Sequence, residues 1–160
     1  MIHVMFVCLG NICRSPLAEG VFKKLIIERN LQNEIAVDSA GTSNWHVGDL
    51  PDPRTEEIAS QHDVQLDHRG QQIHPEDLQT FDYIVAMDIS NYNNIRALEG
   101  FGENGQGRLI MMRDFDELGK EKDVPDPYYG GANGFENVYK MLLRSCTNFL
   151  DHIVKEHNIM

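Results

Sequence analysis

The chain contains no run of about eighteen apolar residues, the length that a membrane-spanning helix requires. Met1 leads directly into the apolar segment Ile2–Val7 with no basic flank and no cleavage-like site, so neither export nor membrane spanning is expected. Cysteine is scarce: Cys8, Cys13 and Cys146 make an odd number in no repeating framework. That excludes a disulfide-stapled secreted scaffold and suits a reducing compartment, which makes a cytoplasmic location the expectation. Positive charge is short as well. Only 14 Lys and Arg stand against 25 Asp and Glu, a net charge of -11, whereas nucleic-acid binding rests on clustered cations that neutralise phosphates. Any phosphate this chain recognises must be held at a local site. There is no internal repeat and no low-complexity tract beyond short surface loops.

What is present fits one globular domain over residues 1–160, with 41% hydrophobic content and one core. Ile2–Val7 has the composition of a strand. A loop with Gly10 and Asn11 follows, and then a helical pattern in which Leu17, Val21, Phe22 and Leu25 share one face, with Pro16 in the first turn and Ser15 as the expected cap. Further strands are expected at Ile35–Ser39, Tyr83–Met87 and Leu109–Met112, each separated by enough chain for a crossover. A last helix is expected from about Phe135 to Val154, with Phe135, Val138, Leu142, Cys146, Phe149 and Ile153 as its apolar stripe. The alternation predicts an α/β fold: a doubly wound parallel sheet with helices on both faces.

The stretch Cys8-Leu9-Gly10-Asn11-Ile12-Cys13-Arg14-Ser15 lies between the first strand and the first helix. A loop that wraps onto a helix N-terminus supplies inward-pointing N–H donors and the positive end of a dipole, a setting for a phosphoryl group that also stabilises a thiolate. Cys8 is therefore the candidate nucleophile. Gly10 permits a tight turn, and Asn tolerates the left-handed region better than most residues do. Arg14 offers a planar fork for two phosphoryl oxygens, and Ser15 offers a hydroxyl to the Cys8 sulfur.

Cys-x5-Arg-Ser-Pro close to the N-terminus, together with Asp126-Pro127-Tyr128-Tyr129 late in the chain, resembles the low-molecular-weight protein tyrosine phosphatases over nearly the whole length. The resemblance implies a four-stranded parallel sheet and hydrolysis of phosphotyrosine through a phosphocysteine. In that scheme Cys8 attacks phosphorus, Arg14 holds the phosphoryl group with the loop (Leu9, Gly10, Asn11, Ile12, Cys13, Ser15), and Asp126 acts as acid and then base. It further implies that Asn11, Ser15, Ser39 and His68 support the loop, that Trp45, Tyr128 and Tyr129 wall the cleft above Leu9 and Ile12, and that Cys13 forms a reversible disulfide with Cys8. Asp88 matches an acid of the family near the loop, with no role assigned.

Plainer readings stand beside these. Cys13 also suits simple packing, His68 a solvated surface position, and the three aromatics ordinary half-buried sites. No metal or other cofactor is expected: the Cys8–Cys13 spacing fits zinc poorly, no second Cys or His pair completes a site, and Arg14 would repel a cation. Arsenate reduction needs further cysteines in a mobile segment, and none occurs from Asp67 to Gly131. A phosphoarginine phosphatase on the same fold would carry Thr at the position of Ile12 and a less aromatic loop after Asp-Pro; a flat apolar cleft favours phenyl over guanidinium. The expected partners are phosphotyrosine proteins or peptides, not nucleic acid or membrane, with a monomer as the default.

Overall fold

The structure is a computed structural model that describes residues 1–102, 107–120, 122–127, 131 and 133–159. Four strands, β1 (Ile2–Cys8), β2 (Ile35–Gly41), β3 (Tyr83–Ala86) and β4 (Arg108–Met111), form one sheet in the order β2-β1-β3-β4. Every pairing is parallel. Helices α1 (Arg14–Glu28), α2 (Pro53–Gln61), α3 (Asp77–Thr80), α4 (Ile89–Arg96) and α5 (Gly134–His157) flank it, with a 3-10 turn at Met112–Phe115.

The period-2 alternation of β1 divides the core. Val4, Phe6 and Cys8 face the layer of α1 and α5, whereas Met5 and Val7 pack towards Leu78 of α3 and Ile95 of α4. In the first layer Phe6 meets Phe22 edge-on at 5.4 Å and Phe149 stacks on Phe22 at 5.5 Å, the offset geometries that aromatic quadrupoles prefer. All six residues of the expected α5 stripe are buried, Cys146 among them.

Several element ends differ from the sequence expectation. β2 runs on to Gly41 because its ladder with β1 continues to the Cys8–Gly41 pair, and the chain at Gln71 and Gln72 bridges Gly41 from the other side. The strand expected to end at Met112 gives way to the 3-10 turn at that residue. Ser15 is not the cap of α1: Cys13 occupies that position, no side chain caps the helix, and the Ser15 hydroxyl is engaged elsewhere. The amides of the first turn are thus not consumed by a capping side chain and remain directed at the loop that precedes them.

Candidate active site

β1 is central, and the chain leaves it on one side towards β2 while β3 lies on the other. In open α/β sheets the crevice beyond the strand ends at such a reversal is where ligands bind. Residues 8–14 fill it. Gly41 allows the loop to cross β2, since a Cβ there would stand 2.7 Å from the Leu9 carbonyl oxygen.

Asn11 organises the loop. It is buried, with φ of 58°, a left-handed conformation that Asn accepts at low cost. Its Nδ2 donates to Ser15 Oγ at 2.8 Å and to Ser39 Oγ at 3.0 Å. Its Oδ1 accepts from the Gln71 backbone N–H at 2.9 Å, which fixes the amide's orientation, so the His68 Nε2 at 2.6 Å is the donor of that pair. His68 Nδ1 lies 3.2 Å from Glu19 Oε1, which also accepts from Ser39 Oγ at 2.6 Å. Every member of this buried network has a partner, the condition under which such a network rigidifies a structure.

The network ends on sulfur. Cys8 Sγ accepts from the Asn11 N–H at 3.3 Å and lies 3.0 Å from Ser15 Oγ. When Cys8 is a thiolate it carries no hydrogen, so the Ser15 hydroxyl is then the donor. Arg14 is buried; its Nη1 donates to Asp88 Oδ2 at 2.6 Å and to the Val124 carbonyl at 3.0 Å. Asp88 also caps α4 by accepting from the Asn91 N–H at 2.7 Å. Burial opposes the Arg14 charge, but the Cys8 sulfur, Asp88 and Asp126 outweigh it and raise its pKa.

A cavity of about 420 Å³ opens in front of this loop. Cys8, Leu9, Gly10, Ile12, Cys13 and Arg14 of the loop line it together with Trp45, His46, Asp52 and Asp126. The structure therefore brings Cys8, Arg14 and Asp126 to one cavity. Asn11 and Ser15 do not line it; their side chains stand behind the loop with Ser39 and His68. The plainer reading of His68 as a solvated surface residue does not hold, because its side chain is almost fully enclosed. Tyr128 and Tyr129 lie outside the described residues. The expected flat apolar cleft is apolar only along Leu9, Ile12 and Trp45, since His46 and Asp52 add polar groups.

Burial pushes the Cys13 thiol up to about 12; the nearby Thr55 hydroxyl pulls it down, and the charges of Asp52, Cys8 and Asp126 raise it. Cys146 is raised by burial alone. Sequence reasoning missed Glu19, Gln71, His46 and Asp52. Glu19 carried a signal: a carboxylate four residues after Ser15 on the buried face of α1. Gln71 reaches Asn11 through its backbone N–H, which leaves no trace in residue type, while its side-chain amide donates to Asp38 Oδ2 at 3.0 Å and to the Ser39 carbonyl at 2.8 Å.

A Cys-x5-Arg loop at the switch point of a doubly wound parallel sheet defines a cysteine-dependent phosphatase. The chain belongs to the low molecular weight phosphotyrosine protein phosphatase family, whose model matches residues 3–159. It is 44% identical over 159 residues to the low molecular weight protein-tyrosine-phosphatase PtpA of Staphylococcus aureus (strain MRSA252), which spans 99% of this chain and 98% of that protein. Among solved structures it is similar to YfkJ from Bacillus subtilis, with a TM-score of 0.89, 41% identity, and coverage of 98% and 96% of the two chains. A Drosophila arginine phosphatase, DARP, superposes with a TM-score of 0.86 at 37% identity, covering 94% of this chain and 96% of its own.

Proposed function

We propose that the whole chain acts as one phosphatase domain that hydrolyses phosphotyrosine in proteins or peptides, and small aryl phosphates, through a phosphocysteine on Cys8. The observation that carries this reading is the enclosure of Cys8 Sγ by the Asn11 N–H and Ser15 Oγ, in a cavity shared with Arg14 and Asp126. Cys8 attacks phosphorus in line, forming the S–P bond as the P–O bond to the phenol breaks, and Asp126 gives its proton to the leaving oxygen. Water then attacks phosphorus with Asp126 as base, and the Ser15 hydroxyl supports the departing thiolate. Arg14, held by Asp88, and the backbone of Leu9, Gly10, Asn11, Ile12 and Cys13 bind the phosphoryl oxygens as charge shifts onto them. Trp45 walls the ring; the same role for Tyr128 and Tyr129 rests on the family resemblance alone. A cytoplasmic location follows from the cysteine usage, and no helix among the described residues is long and apolar enough to cross a membrane.

A single-turnover comparison of phosphotyrosine and phosphoarginine peptides tests the substrate. Cys8→Ser is expected to abolish turnover, and full activity in that variant would sink the covalent step. Asp126→Ala is expected to slow an aryl phosphate with a poor leaving group by roughly 10²–10⁴-fold and one with a good leaving group far less. Equal slowing would remove the general acid.

A phosphoarginine reading is favoured by the likeness to DARP and by Asp52 in the cavity. Asp52 is already engaged by Arg54, which holds its carboxyl below the usual range, and Ile12 presents an apolar surface; both favour the aryl ester. Cys13 forms a reversible disulfide with Cys8 under oxidation, slowly, because its thiol stays protonated at neutral pH. Peroxide treatment followed by mass spectrometry is expected to show that disulfide; sulfinic acid at Cys8 instead would end the proposal.

A further inference from the structure

Asp126 is reached through a stiff piece of chain. In Val124-Pro125-Asp126-Pro127 the prolines fix φ at 125 and 127 and bias the residue before each towards extended backbone. Few soft torsions therefore separate the Asp126 carboxyl from the residues just ahead of it, so whatever fixes Asp123 and Val124 also aims Asp126. Both are held from several sides. Val124 N–H donates to the Met87 carbonyl at 2.7 Å, and the Val124 carbonyl accepts from Arg14 Nη1. Asp123 Oδ1 accepts from the Ile89 N–H at 2.8 Å, and the Asp123 carbonyl accepts from Arg113 Nη1 at 3.1 Å. Arg14 belongs to the phosphate site, whereas Arg113 does not line the cavity.

Arg113 lies in the 3-10 turn after β4 and is buried. A guanidinium is costly to bury unless its donors are matched. Its Nε donates to Oδ2 of the fully buried Asp116 at 3.0 Å, and Arg144 of α5 donates to the same carboxylate through Nε and Nη2, each at 3.1 Å. Gly119 leaves room for the fork, because a Cβ there would stand 2.0 Å from Arg113 Nη2 and 2.5 Å from its Cζ. The guanidinium thus reaches two acceptors at once: a carboxylate that fixes it, and a carbonyl that it fixes in turn. Lysine would keep the charge, but one ammonium on a flexible stem does not reproduce a planar fork with directed donors. Among the described residues Arg144 donates only to Asp116, so it shares the buried carboxylate without touching Asp123.

We infer that Arg113 is a positioning residue for the proton donor: by holding the Asp123 carbonyl it sets the approach of the Asp126 carboxyl to the leaving oxygen, without touching substrate. The inference rests on the reading of Asp126 as general acid given above and deepens it. In the step concerned the S–P bond forms as the P–O bond breaks, and the Asp126 proton passes to the departing oxygen. A displacement of about 1 Å in a reacting group costs on the order of 100-fold. That cost is felt where the leaving oxygen is basic and needs its proton, and hardly at all where it departs as a stable phenolate.

The test reads single-turnover release of phenol from phenyl phosphate and of nitrophenolate from p-nitrophenyl phosphate. Single turnover isolates the step in which Asp126 is the acid from the later one in which it is the base. Arg113→Lys removes the fork, and Gly119→Ala displaces it while leaving Arg113 in place. Each is expected to slow phenyl phosphate by about tenfold and p-nitrophenyl phosphate by less than about threefold. Arg144→Gln, which takes a partner from the same Asp116, is expected to leave both rates within about twofold. Gly119→Ala carries the test alone if Arg113→Lys does not fold. Equal slowing of the two substrates, wild-type rates in Arg113→Lys, or a selective loss in Arg144→Gln as large as in Arg113→Lys would overturn the inference. Asp126→Ala separates it from the reading beneath: slowing that depends on the leaving group there but not in Arg113→Lys removes Arg113 alone. Equal slowing of both substrates in Asp126→Ala removes the general acid and the inference with it.

Discussion

The two ends of the sheet each carry a polar cluster, and the clusters use similar groups for different ends. Beyond the carboxyl ends of the strands, Asn11, Ser15, Ser39, Glu19 and His68 are enclosed and converge on one sulfur atom. At the opposite end the Tyr83 hydroxyl donates to Glu156 and accepts from His157 Nε2 at 2.8 Å, while Arg108 Nη1 donates to Glu156 at 2.7 Å. This second cluster ties the end of α5 to β3 and β4 and is open to water on the Arg108 side. Hydrogen bonding is dense in both. What separates them is burial and convergence: solvent can replace a lost partner at Glu156 but not at Asn11.

The largest effect that would sharpen this contrast is expected from Asn11→Ala. It removes a hydrogen bond from each of four partners, the buried Ser15 and Ser39 and the partly buried His68 and Gln71, which should cost roughly 2–3 kcal/mol in denaturant unfolding. Loss of loop geometry should lower kcat by about 10²-fold. Tyr83→Phe, at the other end, is expected to cost about 1 kcal/mol and to leave kcat within twofold. Comparable kcat losses in the two variants would erase the distinction.

A smaller effect concerns acid. Arg108 first, and then Tyr83, hold the Glu156 carboxyl down to about 2. A depressed carboxyl stabilises the fold above its unfolded value and loses that contribution as pH falls through its folded value. Glu156→Gln should therefore lower Tm by roughly 2–4 °C near neutrality, equivalent to about 1 kcal/mol after allowance for solvent screening. The gap should close between pH 4.5 and about 2. A gap that widens in acid would reverse the assignment.

The first cluster was half legible in the sequence. Cys8, Arg14 and Ser15 sit in one local motif, and the strand and helix order follows from apolar periods that survive into the fold. Glu19 left a trace, four residues after Ser15 on the same helix, whereas Gln71 and the Val124 carbonyl were not legible, because each reaches the site from a segment whose approach depends on tertiary packing. Asp88 was singled out without a role; its two oxygens, one on Arg14 and one on the start of α4, supply it. Ser15 was misplaced as a cap for a physical reason: a hydroxyl at a helix start competes between its own backbone and a nearby sulfur, and here the sulfur and Asn11 win.

The four-way anchoring of Asn11 has a consequence for anion selection. The cradle takes its shape during folding, before any anion arrives, so capture requires no ordering of the chain and the donors keep their directions. Discrimination among oxyanions then becomes a question of outline. Tetrahedral ions such as phosphate, and trigonal-bipyramidal species such as vanadate esters, present oxygens on several sides and fill the donors. Planar nitrate or carboxylate is expected to leave some of them empty and to bind more weakly than a tetrahedral ion of equal charge.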